Sequence, residues 1–248
     1  MDMKLKDDFL KRWKKYFNGA ELPVAFFYSN QTGSSEPVSP PSGHRCFICD
    51  LAAVRKGKSL AFDAASVSCG GGKRYLGFTQ EIMPDFEYFL SCGIEGKLEG
   101  ERYIKSPEMV KVLMEKMQGF KAAGRYIHFK RWDMLEQTDE PEAVIFFAGA
   151  DVLSGLFTLA NFDRDDAGGV SAPFGSGCSS IVYYPLRERK AEKPRAVLGM
   201  FDVSARPFVA DNLLTFAVPF EKFSTMVADM DESFLITGSW AKVQRRLK

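Results

Sequence analysis

Four of the five cysteines in this chain stand where a thiolate could do chemistry. Cys46 and Cys49 lie in GHRCFICD with two residues between them. That spacing lets two thiolates face one ligand from a loop-to-helix junction, and it also serves dithiol redox chemistry. Cys69 opens CGGGKRY and Cys178 opens CSSIVYY, each read as the start of a helix that follows a strand. Unpaired amides and the helix dipole at such a start stabilise negative charge and lower a thiol pKa. Gly70, Gly71 and Gly72 allow the backbone to approach a ligand closely, and they could equally hold a phosphate or carboxylate. Thiolates beside amide donors suit an iron–sulfur cluster. Four soft ligands also suit zinc, although a structural zinc usually takes two local pairs and only Cys46 and Cys49 form one here. Two other readings stay open: a single reactive thiol without metal, or cysteines that merely pack, since free Cys is among the most buried residue types. Cys92, in FLSCG, reads as ordinary core.

Other chemistry is sparse. His44 neighbours Cys46 and could ligate metal or pair with a thiolate, but it reads more simply as a solvated loop residue. His128, in YIHFK, alternates as a strand residue without a visible partner. Arg206 follows a strand end, where ligand-binding residues collect in open α/β sheets, and is the candidate for holding an anionic substrate, although it reads more simply as a solvated or salt-bridged arginine. No zincin, Walker, Rossmann or nucleophile-elbow pattern occurs.

These residues need a scaffold, and apolar periodicity outlines one. Leu5, Phe9, Leu10, Trp13, Tyr16 and Phe17 make a helical stripe over residues 4–17, and Gly19 stops it. Its polar face is basic, but Asp7 and Asp8 dilute the charge, which favours a helix docked on the domain over one lying on a membrane. A strand over LPVAFFYS is followed by a Ser/Pro/Gly-rich loop from Asn30 to Gly43. A helix then runs from Cys46 to Gly57 and a strand from Ser59 to Ser66. Ser106-Pro107-Glu108 starts a helix with Val110, Leu113, Met114 and Met117 inward. Farther on come a strand at 143–147, a helix at 152–161, a turn at 163–169 and a helix opened by Gly177-Cys178. Strands at 195–202 and 213–218, a helix after Pro219, a last strand at 234–237 and a basic terminal helix complete the reading.

Composition bounds the class. At 46% hydrophobic and 26% charged, the 248 residues can bury a large core, which excludes a disordered chain and a disulfide scaffold. Lys plus Arg is 33 against 32 for Asp plus Glu, so a net charge of +1 gives no whole-chain field to gather nucleic acid or an anionic membrane. The N-terminal stretch lacks the apolar region of a secretory signal, and an odd number of cysteines favours a reducing cytoplasm. Residues 143–162 resemble a membrane span, but Asp151 at their centre would cost roughly 2.5–3.5 kcal/mol there. A strand, a turn and a packed helix explain them better.

The expectation is one domain over residues 1–248, α/β or α+β, with a mixed sheet flanked by helices. Two stretches share an order of events: strand, helix, strand and Cys69 over about 20–80, then strand, helix, strand and Cys178 over about 141–190. Two pseudo-repeated βαβα halves would set Cys69 and Cys178 in equivalent places.

The pattern resembles the uncharacterised ArCR-type domain-of-unknown-function family of bacteria and archaea. The resemblance rests on Cys49, Ala52 and Gly57 in CDLAAVRKG, on Cys69, Gly70 and Gly77 in SCGGGKRYLGF, and on PEAVIFFAGA. Cys178 in GCSS, Arg206 and Pro219 extend it over about residues 20–245. It implies a cytoplasmic prokaryotic protein with family-type cysteines at 49, 69 and 178, and it brings no activity with it. Cys46 is then an addition, leaving three thiolates and an open position where substrate could meet a cluster or metal. The leading expectation is therefore a cytoplasmic protein that binds an iron–sulfur cluster or zinc through Cys49, Cys69 and Cys178, with Cys46 optional. The alternatives are a small-molecule enzyme using Cys69 as a low-pKa thiolate and Arg206 for the substrate, or a non-catalytic binding domain. An unidentified small molecule is the expected partner, a homodimer is left open, and nucleic acid and membrane are not expected.

Overall fold

The computed structural model describes residues 1–247. Helix α1 (Met3–Tyr16) begins where Asp2 accepts the Lys4 amide at 2.8 Å and buries Phe9, Trp13 and Tyr16. Eight strands follow: β1 (Val24–Ser29), β2 (Glu36–Pro37), β3 (Leu60–Phe62), β4 (Tyr126–Arg131), β5 (Ala143–Ala148), β6 (Val170–Ser171), β7 (Ala196–Gly199) and β8 (Leu214–Pro219). They form one mixed sheet in the order β2-β3-β4-β1-β5-β8-β7-β6. The central pair, β1 and β5, runs antiparallel with Val24 opposite Ile145 and Phe26 opposite Ala143. Both read as nearly continuous apolar runs because both faces of the sheet are covered.

Strand alternation sorts the core into two layers. Ala25, Phe27, Val144, Phe146, Phe216 and Val218 point to the first face. There they pack under α1, α6 (Ala150–Ala160), α8 (Phe220–Asp229) and α9 (Gly238–Gln244). Val24, Phe26, Phe129, Ile145 and Ala217 point to the second face. That face is covered by α2 (Ile48–Arg55), by Val67 and Leu76 around α3 (Gly70–Tyr75), and by a helical stretch from Gly177 through α7 (Tyr184–Glu188). Within that stretch Ser179–Tyr183 is π-helical, and the Tyr184 amide donates to the Ser179 carbonyl. Pro185 has no amide to give and its ring crowds the carbonyl four residues back, so a widened turn relieves the clash. Two further helices, α4 (Phe86–Phe89) and α5 (Pro107–Lys116), lie between β3 and β4. Among the described residues no helix is long and apolar enough to cross a membrane. The 143–162 segment folds as strand β5 and helix α6.

Several details depart from the sequence reading. The 234–237 run is a 3₁₀ turn over Phe234–Ile236, in which the Ser233 hydroxyl accepts the Leu235 amide. Helix α5 buries only Val110, because it lies at the periphery. Cys92 is exposed and its neighbour Ser91 is buried instead.

The βαβα halves are not what the chain builds. Helix α6 lies between β5 and β6, whereas only a loop joins β1 to β2. What does recur is strand pairing. β2 is parallel to β3, β3 antiparallel to β4 and β4 antiparallel to β1. β6 is likewise parallel to β7, β7 antiparallel to β8 and β8 antiparallel to β5. In this pattern Cys178, between β6 and β7, corresponds to Cys46, between β2 and β3, and not to Cys69.

Candidate functional site

The second face of the sheet carries the thiols. Cys178 belongs to its buried core and Cys46 packs against that core half-buried. Cys69, also half-buried, caps α3 in an extended conformation. β3 and β7 are antiparallel to each other through the intervening strands, so the chain leaves them at opposite ends of the sheet. Both exit segments turn back over the second face, where Val67, Met200, Ala205 and Val209 join one core. This return brings Cys46, Cys69, Cys178 and the Asp202 carboxylate within electrostatic reach of one another.

The surroundings of Cys46, Cys178 and Cys49 are unfavourable for thiolate. Burial pushes Cys46 up to about 11, the Ile48 amide opposes this, and Cys69, Cys49 and Asp202 add repulsion. Burial pushes Cys178 higher still; the Ser176 hydroxyl at 3.1 Å opposes it, while Cys69, Cys46 and Asp202 reinforce it. Cys49 is raised by burial and by Asp50, and Arg45 partly offsets both. It also adds repulsion to a Cys46 thiolate.

The helix starts differ from expectation. Cys69 makes no side-chain capping bond. Gly70–Gly72 are themselves the first turn of α3. Gly72 is buried, and a Cβ there would stand 3.0 Å from Val67 Cγ1, while Gly70 has open space beside it. Ser176, not Cys178, receives the capping bond, from the Ser179 amide at 3.2 Å. Cys178 already has helical backbone angles. Amide donation to a thiolate is therefore supplied less by helix ends than the sequence suggested.

Asp202 is the residue that sequence reasoning missed. Its carboxylate accepts the Gly177 amide at 3.0 Å and the Ser204 amide and hydroxyl at 3.0 and 2.8 Å. The loop after β7 thereby holds the residue preceding Cys178. A signal existed: FDAAS after β3 and FDVSA after β7 share Phe-Asp followed by small residues. Asp63 likewise accepts the Ala65 and Ser66 amides, both at 3.0 Å.

Arg206 is engaged within its own loop. Its guanidinium donates to the carbonyls of Leu213, Ala210 and Asp211, at 2.5, 3.2 and 2.7 Å, and so closes its own loop. His44 is exposed. His128 is buried on the other face, stacked on Phe27 with ring centroids 4.6 Å apart and its Nδ1 2.9 Å from the Ser35 hydroxyl. Among the described residues all five cysteines are unpaired thiols, and no three His, Cys, Asp or Glu side chains already stand in position to hold a metal ion.

A family model described as Uncharacterised ArCR matches residues 14–229. No curated protein and no solved structure matches the chain.

Proposed function

We propose that this chain, which belongs to the uncharacterised ArCR family, binds an iron–sulfur cluster or a soft metal ion through Cys46, Cys69 and Cys178. The observation that carries the reading is the convergence of three thiols from three separate connections on one half-buried face. Left alone, Cys46 and Cys178 are held protonated by burial and by the neighbouring thiols. A bound cation reverses that balance, because it supplies the positive charge that desolvated thiolates need and displaces their protons. The same raised pKa values speak against Cys46 or Cys178 as a free nucleophile, since thiolate is the reactive form.

Three sulfurs fall one short of the closed set that a structural zinc takes. The proposed site therefore keeps one position for an outside ligand, or recruits Cys49, whose amide lies one turn from Cys46 with its N–H donating to the Cys46 carbonyl at 3.1 Å. Asp202 acts on Cys178 as a positioning residue, because its oxygens are already engaged with Gly177 and Ser204. Open thiols of this kind fit a reducing cytoplasm, the compartment we assign.

The test is iron, sulfide and zinc content, with a visible spectrum, on protein purified without oxygen. Near-stoichiometric iron and sulfide, lost in Cys46→Ser, Cys69→Ser and Cys178→Ser but kept in Cys92→Ser, is the expected result. Zinc alone, lost in the same variants, keeps the ligand set and narrows it to a soft metal ion. Absence of metal after anaerobic reconstitution with each metal sinks the reading.

A further inference from the structure

The chain segments that carry Cys46 and Cys69 meet on both sides of the two cysteines. On one side the Arg45 amide donates to the Ser68 hydroxyl at 2.8 Å, and that hydroxyl donates to the Arg45 carbonyl at 3.3 Å. A single side chain next to Cys69 thus spans both backbone groups of the residue next to Cys46. On the other side, the Phe47 ring and the Cys69 Cβ stand 3.7 and 3.5 Å from the point where a Gly72 side chain would begin. The two chain segments therefore touch just before and just after the cysteines. Of the two other thiols that Cys46 feels most directly, Cys69 acts on it more strongly than Cys49.

We propose that Cys46 and Cys69 form a reversible intramolecular disulfide, by exchange with a low-molecular-weight disulfide. The inference does not depend on the metal reading, because the bond forms in metal-free protein. Cys69 attacks first, because exposed Gly70 beside it has open space through which a small disulfide can approach. Its thiolate forms a bond to one sulfur of the oxidant, whose S–S bond breaks and releases one thiolate. Cys46 then gives its proton to solvent base and attacks Cys69 Sγ, and the second small thiolate leaves. The protein loses two electrons and two protons, and the oxidant becomes two thiols. Closure consumes two of the three proposed ligands, so oxidation and metal binding exclude each other.

The experiment equilibrates the metal-free full chain with reduced and oxidised glutathione, quenches with acid, alkylates, digests with trypsin and reads the fragments by mass. Cys46 and Cys49 share the fragment 46–55, while Cys69 lies in 59–73. The expected product joins these two fragments, in the native sequence and in Cys49→Ser, and is absent in Cys69→Ser. Ser68→Ala removes the clamp and lowers the equilibrium constant for closure about fivefold, the equivalent of one ordinary hydrogen bond. A disulfide confined to the 46–55 fragment overturns the proposal, as does an end state of glutathione adducts alone. If the Cys46–Cys69 bond forms while metal never binds, the metal reading fails and this one stands.

Discussion

The Gly177 amide donates to the Asp202 carboxylate at 3.0 Å, so the residue before Cys178 is anchored by a loop that leaves a different strand. Asp202→Ala strands that buried amide and frees Ser204 as well. An unsatisfied buried donor costs about 1–3 kcal/mol, and urea unfolding should register a loss of that size with an unchanged m-value. Asp202→Asn keeps an oxygen acceptor and should lose less. Alkylation of Cys178, slow in the native protein because the residue is buried, should speed up in Asp202→Ala. Unchanged alkylation would mean that the loop does not position the thiol.

The thiols also set a stability window at high pH. The folded value of Cys46, about 11, lies above the ordinary 9.0, so the folded state holds this proton more tightly than the unfolded chain does. Stability is fully present below pH 9.0 and falls as pH rises toward about 11, because only the unfolded chain releases the proton in that interval. Cys178, raised for the same reason, carries the fall to higher pH. Denaturant midpoints measured across this window should decline, and Cys46→Ser should flatten the first part of the decline. A midpoint that rises with pH would contradict the sign.

Much of this arrangement could be read before any coordinates. The apolar runs of β1 and β5 and the stripe of α1 specify their own structure, because burial on two faces or on one helical face leaves a direct periodic mark. The candidate thiols at 46, 49, 69 and 178 were visible for their residue type, with Cys49 ranked ahead of Cys46. Their grouping was not legible in the same way. It depends on two segments that leave distant strands at opposite ends and fold back over one face, a long-range event without local periodicity. The wrong partner for Cys178 in the half-to-half comparison came from matching helices, whereas strand pairing carries the recurrence. The position of Arg206 after a strand end says nothing of the three carbonyls that its own loop turns toward it. Asp202 announced itself only through a short echo of FDAAS.

The glycines after Cys69 separate two roles. Gly70 has nothing within 4 Å of an added Cβ, so Gly70→Ala should hold or gain stability, by at most roughly 0.5–1 kcal/mol from the reduced entropy of the unfolded chain. At Gly72 the same atom meets Val67 Cγ1 at 3.0 Å in a buried position. Gly72→Ala should cost on the order of 1–3 kcal/mol through overpacking, and it should alter Cys69 alkylation by shifting the turn. Thermal melts of the two variants check the contrast, and equal effects would remove the packing role assigned to Gly72.

The most costly single truncation is expected on the opposite face. Lys130, paired with Ala25 across the sheet, is 1% exposed and directs its ammonium at Asp139, 2.9 and 3.2 Å from the two oxygens. Glu136 at 3.1 Å and the Ser34 hydroxyl at 3.0 Å complete its shell. Asp139 is itself buried and turns one oxygen to the Glu136 amide at 2.8 Å. Lys130→Ala leaves that carboxylate without its cation, and breaking a buried pair from one side costs about 3–5 kcal/mol. Replacing both partners by apolar residues, Lys130→Met with Asp139→Leu, removes the uncompensated charge and should recover most of the loss. Lys193→Ala breaks an exposed pair with Asp165 and should leave the unfolding midpoint where it was. Urea unfolding of these three proteins decides the point. If Lys130→Ala proves as mild as Lys193→Ala, the pair does not secure the Ser34 loop; if the double variant proves no better than the single, the loss lies in packing and not in the stranded charge.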